Sequence, residues 1–168
     1  TDERVRCIYN EQDLGIDGSR NKAFALARAP YVAPMDSDDA ALPHRFAVQY
    51  AFMESRPSIL ASGGAFTVYE TGELKAFPIE QETAACMTLF NATIAHPASI
   101  MRTHEAQTIG GYPADFSPSL DYAIWARLLM SGLGGLANVE DVLLRYRTHP
   151  QMDRSAYHQR MAQKADKV

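Results

Sequence analysis

The chain has 168 residues, 46% of them hydrophobic and 21% charged, with a formal net charge of -4. That is enough chain for one domain with a real core. The acidic balance argues against nonspecific nucleic-acid binding, and no apolar run reaches the ~20 residues of a membrane span. Cys7 and Cys86 are the only cysteines, far apart and without metal-ligand spacing, which fits two free thiols in a reducing cytoplasm.

The elements follow in chain order. Val5 to Tyr9 alternates and predicts a strand. Asn10 to Gly18 is a loop, and Asp17 or Ser19 can cap a helix running to about Ala29, closed by Pro30. Tyr31 to Met35 predicts a short strand ending at Asp36-Ser37-Asp38-Asp39, although Pro34 donates no ladder bond. Pro43 starts a helix from His44 to Ser55. Ile59 to Tyr69 predicts a strand bent at Gly63-Gly64, and Thr71-Gly72 turns into a short strand at Leu74 to Phe77. Glu80 to Phe90 predicts a helix, Ala98 to Arg102 a strand, and Thr103 caps a helix stopped by Gly110-Gly111. Leu120, Ile124 and Leu128 recur every four residues, with Trp125 and Leu129 beside them, and mark the strongest helix. Val142 to Tyr146 is a last strand and Ser155 to Lys164 a polar terminal helix. Strands alternating with helices predict an α/β domain.

Three carboxylates within four residues at a strand end repel one another unless a cation sits among them. Ligands of α/β sheets collect at such ends, and a dense oxygen set suits Mg²⁺ or Mn²⁺ bridging phosphate oxygens. The same string also reads as a solvated Asp-rich turn ahead of Pro43. Arg20-Asn21, in the first turn of a helix, suits a base or phosphate, or simply a surface Arg with a capping Asn. Asp121 begins the amphipathic helix, where a carboxylate can take a proton from a hydroxyl or merely complement the helix dipole. Arg147 and His149 follow the last strand, and His149 could ligate a metal or hydrogen-bond a phosphate. His96-Pro97 and Met101-Arg102 form a further polar group of the same kind.

The order of these pieces resembles the family 2 inverting glycosyltransferases of the GT-A fold. The resemblance rests on Gly15 to Asn21, the run Ala29 to Asp39, His96-Pro97-Ala98-Ser99-Ile100-Met101-Arg102, Gly110-Gly111-Tyr112, Asp121 to Leu128, and Arg145-Tyr146-Arg147-Thr148-His149 with Ser155 beyond. It covers nearly the whole chain. It implies a GT-A-like three-layer sandwich with a mixed, mainly parallel sheet. Residues 1–40 would end the nucleotide-binding half, 41–150 form the acceptor-binding half, and 151–168 a tail helix. A nucleoside-diphosphate sugar would be the donor. A carbohydrate, lipid-linked or other hydroxyl would be the acceptor, in cell-surface polysaccharide synthesis at the cytoplasmic side of a membrane. Arg20, Asn21, Asp36, Asp38 and His149 would bind the nucleotide. Asp38, with Asp39, would hold Mn²⁺ or Mg²⁺, and Asp121 would be the base.

Two residues depart from the family pattern, Leu120 where a Glu usually precedes the base and Pro34 in the strand. The family's first strand and nucleotide loop would lie upstream of residue 1, so the resemblance implies an N-terminally truncated domain with an open sheet edge suited to self-association. Two other readings are available. Asp36-Ser37-Asp38-Asp39-Ala40 nearly matches the nucleophile motif of haloacid-dehalogenase-like phosphatases, broken at Ala40. A non-catalytic scaffold of the same fold would act by binding alone.

Overall fold

A computed structural model describes residues 2–114 and 119–148. Helix α1 spans Gly15–Leu26, β1 Tyr31–Val32, β2 Ala40–Ala41, α2 Arg45–Ser55, β3 Ile59–Val68, β4 Leu74–Lys75 and α3 Gln81–Thr88. A 3₁₀ turn at His96–Ala98 leads into β5, Ile100–Arg102, followed by α4, Thr103–Thr108, α5, Leu120–Met130, and β6, Gly135–Tyr146. The expected helix from Ser155 lies outside the described residues.

One mixed sheet runs in the order β1-β5-β3-β6-β2, with β4 paired to β3. Its longest pairing, β3 with β6, is parallel, from Ile59↔Gly135 to Val68↔Tyr146. The four shorter pairings are antiparallel. The parallel character expected of the sheet is therefore carried by one pair, and the short strands fold back on it. Because β5 is antiparallel to both β1 and β3, strands β1, β3 and β6 all point the same way.

β3 is buried along most of its length because both faces are covered. On one face Phe24 of α1, Ala84 of α3, Ala106 of α4 and Leu120, Ile124, Trp125 and Leu128 of α5 pack with Leu60, Met101 and Leu136. On the other face Met53 of α2 packs with Ile59, Ile100 and Ala137. These are the three layers that the family resemblance implied. Fully burying each of the larger side chains contributes about 1.5–3 kcal/mol. The Trp125 indole N–H donates to the Ile94 carbonyl at 3.1 Å, so the largest core side chain leaves no donor unmet.

The bend expected at Gly63-Gly64 is a register shift of β3 against β6. There the Gly63 N–H turns to the buried Asn138 Oδ1 at 3.1 Å. Asn138 Nδ2 donates to the Pro78 and Thr93 carbonyls, so one side chain stitches three segments.

Two expectations fail locally. Val5 to Tyr9 forms no strand, and Val5, Ile8 and Tyr9 are exposed. Alternation makes a strand only where a neighbour accepts its ladder bonds, and among the described residues no strand pairs with this segment. Strand β1 ends at Val32, because Pro34 has no N–H to continue it. In compensation Ala40–Ala41, which carries no strand signal, pairs with Leu144 and Arg145 of β6.

The two ends of the acidic segment are thereby fixed far apart. β1 and β2 occupy opposite edges of the sheet, so residues 33–39 cross from one edge to the other. Each of these edge strands is two residues long, which leaves little exposed ladder for pairing with another chain.

Candidate active site

The crossing segment is tied down chiefly by its backbone and by Asp39. The Asp39 N–H closes a turn on the Asp36 carbonyl at 3.3 Å. The Arg147 backbone N–H donates to Asp39 Oδ1 at 2.9 Å, and Arg147 Nε donates to the Asp38 carbonyl at 3.1 Å. The Arg147 guanidinium also lies 4.3 Å from the Tyr69 ring centroid. The other Asp39 oxygen, Oδ2, is buried without a hydrogen-bond partner among the described residues. Burial, reinforced by the nearby Asp38 and Asp36 carboxylates, raises the Asp39 pKa, while the Arg147 N–H works in the opposite direction.

Arg45, fully buried at the start of α2, holds the segment from below. Its Nη2 donates to the Pro34 carbonyl at 3.1 Å and to the Ser99 carbonyl at 3.0 Å, and its Nε to Gln49 Oε1. Its Nη1 is also buried and unpartnered. Burial lowers the Arg45 pKa, and the Asp39 carboxylate works in the opposite direction.

This changes the expected metal set. Among the described residues no group of three or more His, Cys, Asp or Glu side chains is arranged to hold a metal ion. Asp39 has one oxygen on the Arg147 N–H, which anchors the turn, and its other oxygen is buried without a hydrogen-bond partner among the described residues. Asp36 and Asp38 remain half-buried on the turn itself. A Mg²⁺-like ion needs only one or two carboxylates when phosphate oxygens and water complete its shell.

Beside the turn, Arg20 Nη2 meets Asp36 Oδ1 at 3.2 Å, with both side chains partly exposed. The Arg20 guanidinium lies 5.6 Å from the ring centroid of Tyr112. Asn21, expected to touch a nucleotide, is occupied otherwise. Its Nδ2 donates to the Tyr112 carbonyl and its Oδ1 accepts the Tyr112 N–H, both at 2.8 Å. Its amide thus replaces a strand neighbour for one residue.

That clamp requires the glycine before it. Gly111 has φ +67°, and a Cβ there would lie 2.4 Å from Asn21 Oδ1. Gly111→Ala therefore adds left-handed strain of about 1–2 kcal/mol and a clash on top. The expected result is a loss of at least about 2 kcal/mol in urea unfolding.

The Tyr112 hydroxyl and His96 Nε2 are 2.6 Å apart, and both residues are buried. Burial, with the Arg20 cation, lowers the His96 pKa to about 3, so the ring is neutral. Burial raises the Tyr112 pKa, Arg20 lowers it, and the Asp121 and Asp36 carboxylates raise it. Arg20, Asp36 and Asp121 thus all act electrostatically on one phenol, although they come from three distant parts of the chain. Asp121 sits half-buried in the first turn of α5, a helix fixed by its core face. Leu120, the departure noted beside it, is buried in that core. His149 lies outside the described residues.

A cleft of about 230 Å³ opens between α1 and residues 32–35, bounded by Arg20, Phe24, Val32, Met35 and Tyr112. It is apolar apart from the Arg20 end, a shape that suits a flat ring attached to an anionic group. Arg102, singled out with Met101, is a structural pin. It donates to the Ile59 and Met53 carbonyls and to the Tyr31 hydroxyl.

Residues 1–106 match the family model described as glycosyl transferase family 2. The chain belongs to glycosyl transferase family 2. An uncharacterized glycosyltransferase of Methanocaldococcus jannaschii, MJ1057, is 32% identical over 87% of this chain and 51% of its own length. The Erwinia amylovora amylovoran biosynthesis glycosyltransferase AmsE is 29% identical over 84% of this chain and 54% of its own. An Escherichia coli protein named as a UDP-Glc:alpha-D-GlcNAc-diphosphoundecaprenol beta-1,3-glucosyltransferase is 27% identical over 88% of this chain and 57% of its own. The chain thus spans about half the length of the curated relatives it matches. In fold it is similar to residues 1–349 of Staphylococcus aureus TarS, solved with UDP-GlcNAc, at a TM-score of 0.64 over 80% of this chain and 39% of that one, with 14% identity. As a family 2 glycosyltransferase of GT-A-like α/β fold, the chain is set apart from the phosphatases that Asp36 to Ala40 also resembled.

Tyr112 and Arg45 were not recognisable as site residues from sequence. The glycine pair before Tyr112 was the available signal for the first. Nothing marked Arg45, because its partners are carbonyls of distant segments.

Proposed function

We propose that this glycosyltransferase moves a sugar from a nucleoside-diphosphate sugar to an acceptor hydroxyl with inversion at the anomeric carbon. The observation that carries this reading is the Arg20–Asp36 pair at 3.2 Å beside the Tyr112 ring, at the polar end of the cleft between α1 and residues 32–35. Asp121, half-buried in the first turn of α5, is the second carboxylate of the reading.

In this reading Asp121 accepts the proton of the acceptor hydroxyl as its oxygen bonds to the anomeric carbon from the face opposite the leaving group. The bond from that carbon to the diphosphate oxygen breaks, and the nucleoside diphosphate departs with the electron pair. Arg20 holds the nucleotide's anionic portion and Asp36 its ribose. Asp38 would hold a divalent cation together with the diphosphate, whose charge that cation offsets when bound. Asp39, Arg45 and Arg147 keep the turn in shape.

A UDP-sugar donor is supported by the UDP-GlcNAc bound to TarS and the UDP-Glc in the relative's name. The diphosphoundecaprenol in that name supports a lipid-linked acceptor. Among the described residues no helix is long and apolar enough to cross a membrane.

Calorimetric titration with UDP in Mn²⁺ is the test. The expected result is saturable binding that weakens about tenfold or more in Asp38→Asn and without the metal. Metal-independent binding that Asp38→Asn leaves unchanged would remove the metal role, and no binding at all would overturn the donor.

A further inference from the structure

We infer that Tyr112 is a positioning residue of the donor site, its ring face fixing the Arg20 guanidinium in the orientation that meets Asp36. The inference rests on the donor reading above and adds to it a residue that touches neither sugar nor diphosphate.

Tyr112 is held far more firmly than a core aromatic needs to be. Both of its backbone polar groups are bound by the Asn21 amide at 2.8 Å. Its hydroxyl is bound to His96 at 2.6 Å, and its ring lies 5.2 Å from that of Phe24. Only 2% of its surface is exposed. Gly110 and Gly111, at φ +80° and +67°, deliver the chain into this position. A Phe would fill the same space without a buried hydroxyl or a buried neutral histidine. Networks of this kind rigidify what they enclose, at the expense of desolvating polar groups.

What the network immobilises is the ring, and on the ring sits Arg20. Arg20 has the longest side chain of the group and is partly exposed. A partly exposed Arg carries much rotamer freedom, and its ion pair with Asp36 is a single contact at 3.2 Å. The electron-rich ring face attracts the guanidinium without taking up its donors. The cation is thereby restricted while its N–H groups stay free for Asp36 and an incoming anion. Preorganisation of this sort appears as affinity for the donor and leaves the chemical step alone.

The test is a pair of double-mutant cycles on the intact protein, reading UDP-sugar KM, kcat and UDP affinity. Tyr112→Phe keeps the ring but loses its tether to His96, so donor KM should rise about threefold, less than when the ring is removed. Tyr112→Leu removes the ring, and donor KM and the UDP Kd should rise about tenfold with kcat within about twofold. In an Arg20→Ala background Tyr112→Leu should have no further effect, because the residue it acts through is gone. Asn21→Ser loosens the Tyr112 backbone without altering the ring and should give the same pattern, which keeps the test open if Tyr112→Leu does not fold. Equal effects with and without Arg20, or a fall in kcat alone, would overturn the inference. Absence of UDP binding by the unmutated protein would overturn the donor reading itself.

Discussion

Asp121→Asn should lower kcat by about 10²–10⁴-fold and leave UDP affinity unchanged, the range expected when a positioned general base is removed. The substitution keeps shape and volume, so the effect isolates proton acceptance. Helix α5 is a firm mount for such a group. Leu120, Ile124, Trp125 and Leu128 are all buried in one cluster, and the indole N–H is bound to the Ile94 carbonyl. Asp121 has therefore little freedom to drift when its charge is lost, and a changed KM is not expected. Single-turnover measurement with saturating donor separates the chemical step from product release. Activity within tenfold of the original would put the base elsewhere.

The second large effect is acid sensitivity carried by His96. Its pKa is lowered from 6.5 to about 3 in the folded protein, chiefly by burial and then by Arg20. In the unfolded chain the ring takes up a proton below about pH 6.5. Between those values the unfolded state binds more protons than the folded one, so stability rises with pH there. The stabilising contribution is complete above about pH 6.5 and is lost as pH falls toward 3. At about 1.4 kcal/mol for each tenfold change in proton affinity, the full span corresponds to about 5 kcal/mol. Urea midpoints at pH 7, 6, 5 and 4 should fall steeply for the original protein. His96→Gln, which keeps a hydrogen-bonding group near the Tyr112 hydroxyl, should lower the midpoint at pH 7 and flatten the profile. A parallel decline in both proteins would mean that other groups govern acid unfolding.

How far the sequence could be read varies with the range of the forces involved. Helix α5 was legible because three aliphatic residues at fourfold spacing mark one buried face, and its bounds follow that face. β3 was legible for the same reason, its apolar run being buried on both sides. The tail of β6 was visible from Val142, but its first residues were hidden by Glu140 and Asp141, which interrupt the apolar pattern where the register against β3 shifts. Strand β2 was invisible because two alanines carry no preference, and only the edge of β6 makes them extended. Within the site, Arg20, Asp36, Asp38 and Asp121 stood out by residue type and order. Asn21 stood out as well, but the task the structure shows for it, an amide bound to a backbone 91 positions away, carries no local signal. Asp39 was expected among the metal ligands for its charge, yet a carboxylate fixed by the backbone of Arg147 follows from a contact 108 positions apart.

The passage of residues 33–39 between opposite edges of the sheet has a consequence for how the protein is made. Ala40 pairs with Arg145, so the far anchor of the acidic segment does not exist until the last strand has been synthesised and docked. Contacts so distant along the chain form late, because their closure entropy must be met before they stabilise anything. On the ribosome, Arg20 and Asp36 can emerge early, but the geometry that makes them a site arrives only with β6. A nascent chain stalled short of β6 would hold three neighbouring carboxylates on a loop whose Ala40–Ala41 end has no strand to pair with. The shape of residues 33–39 thus matures only when β6 docks.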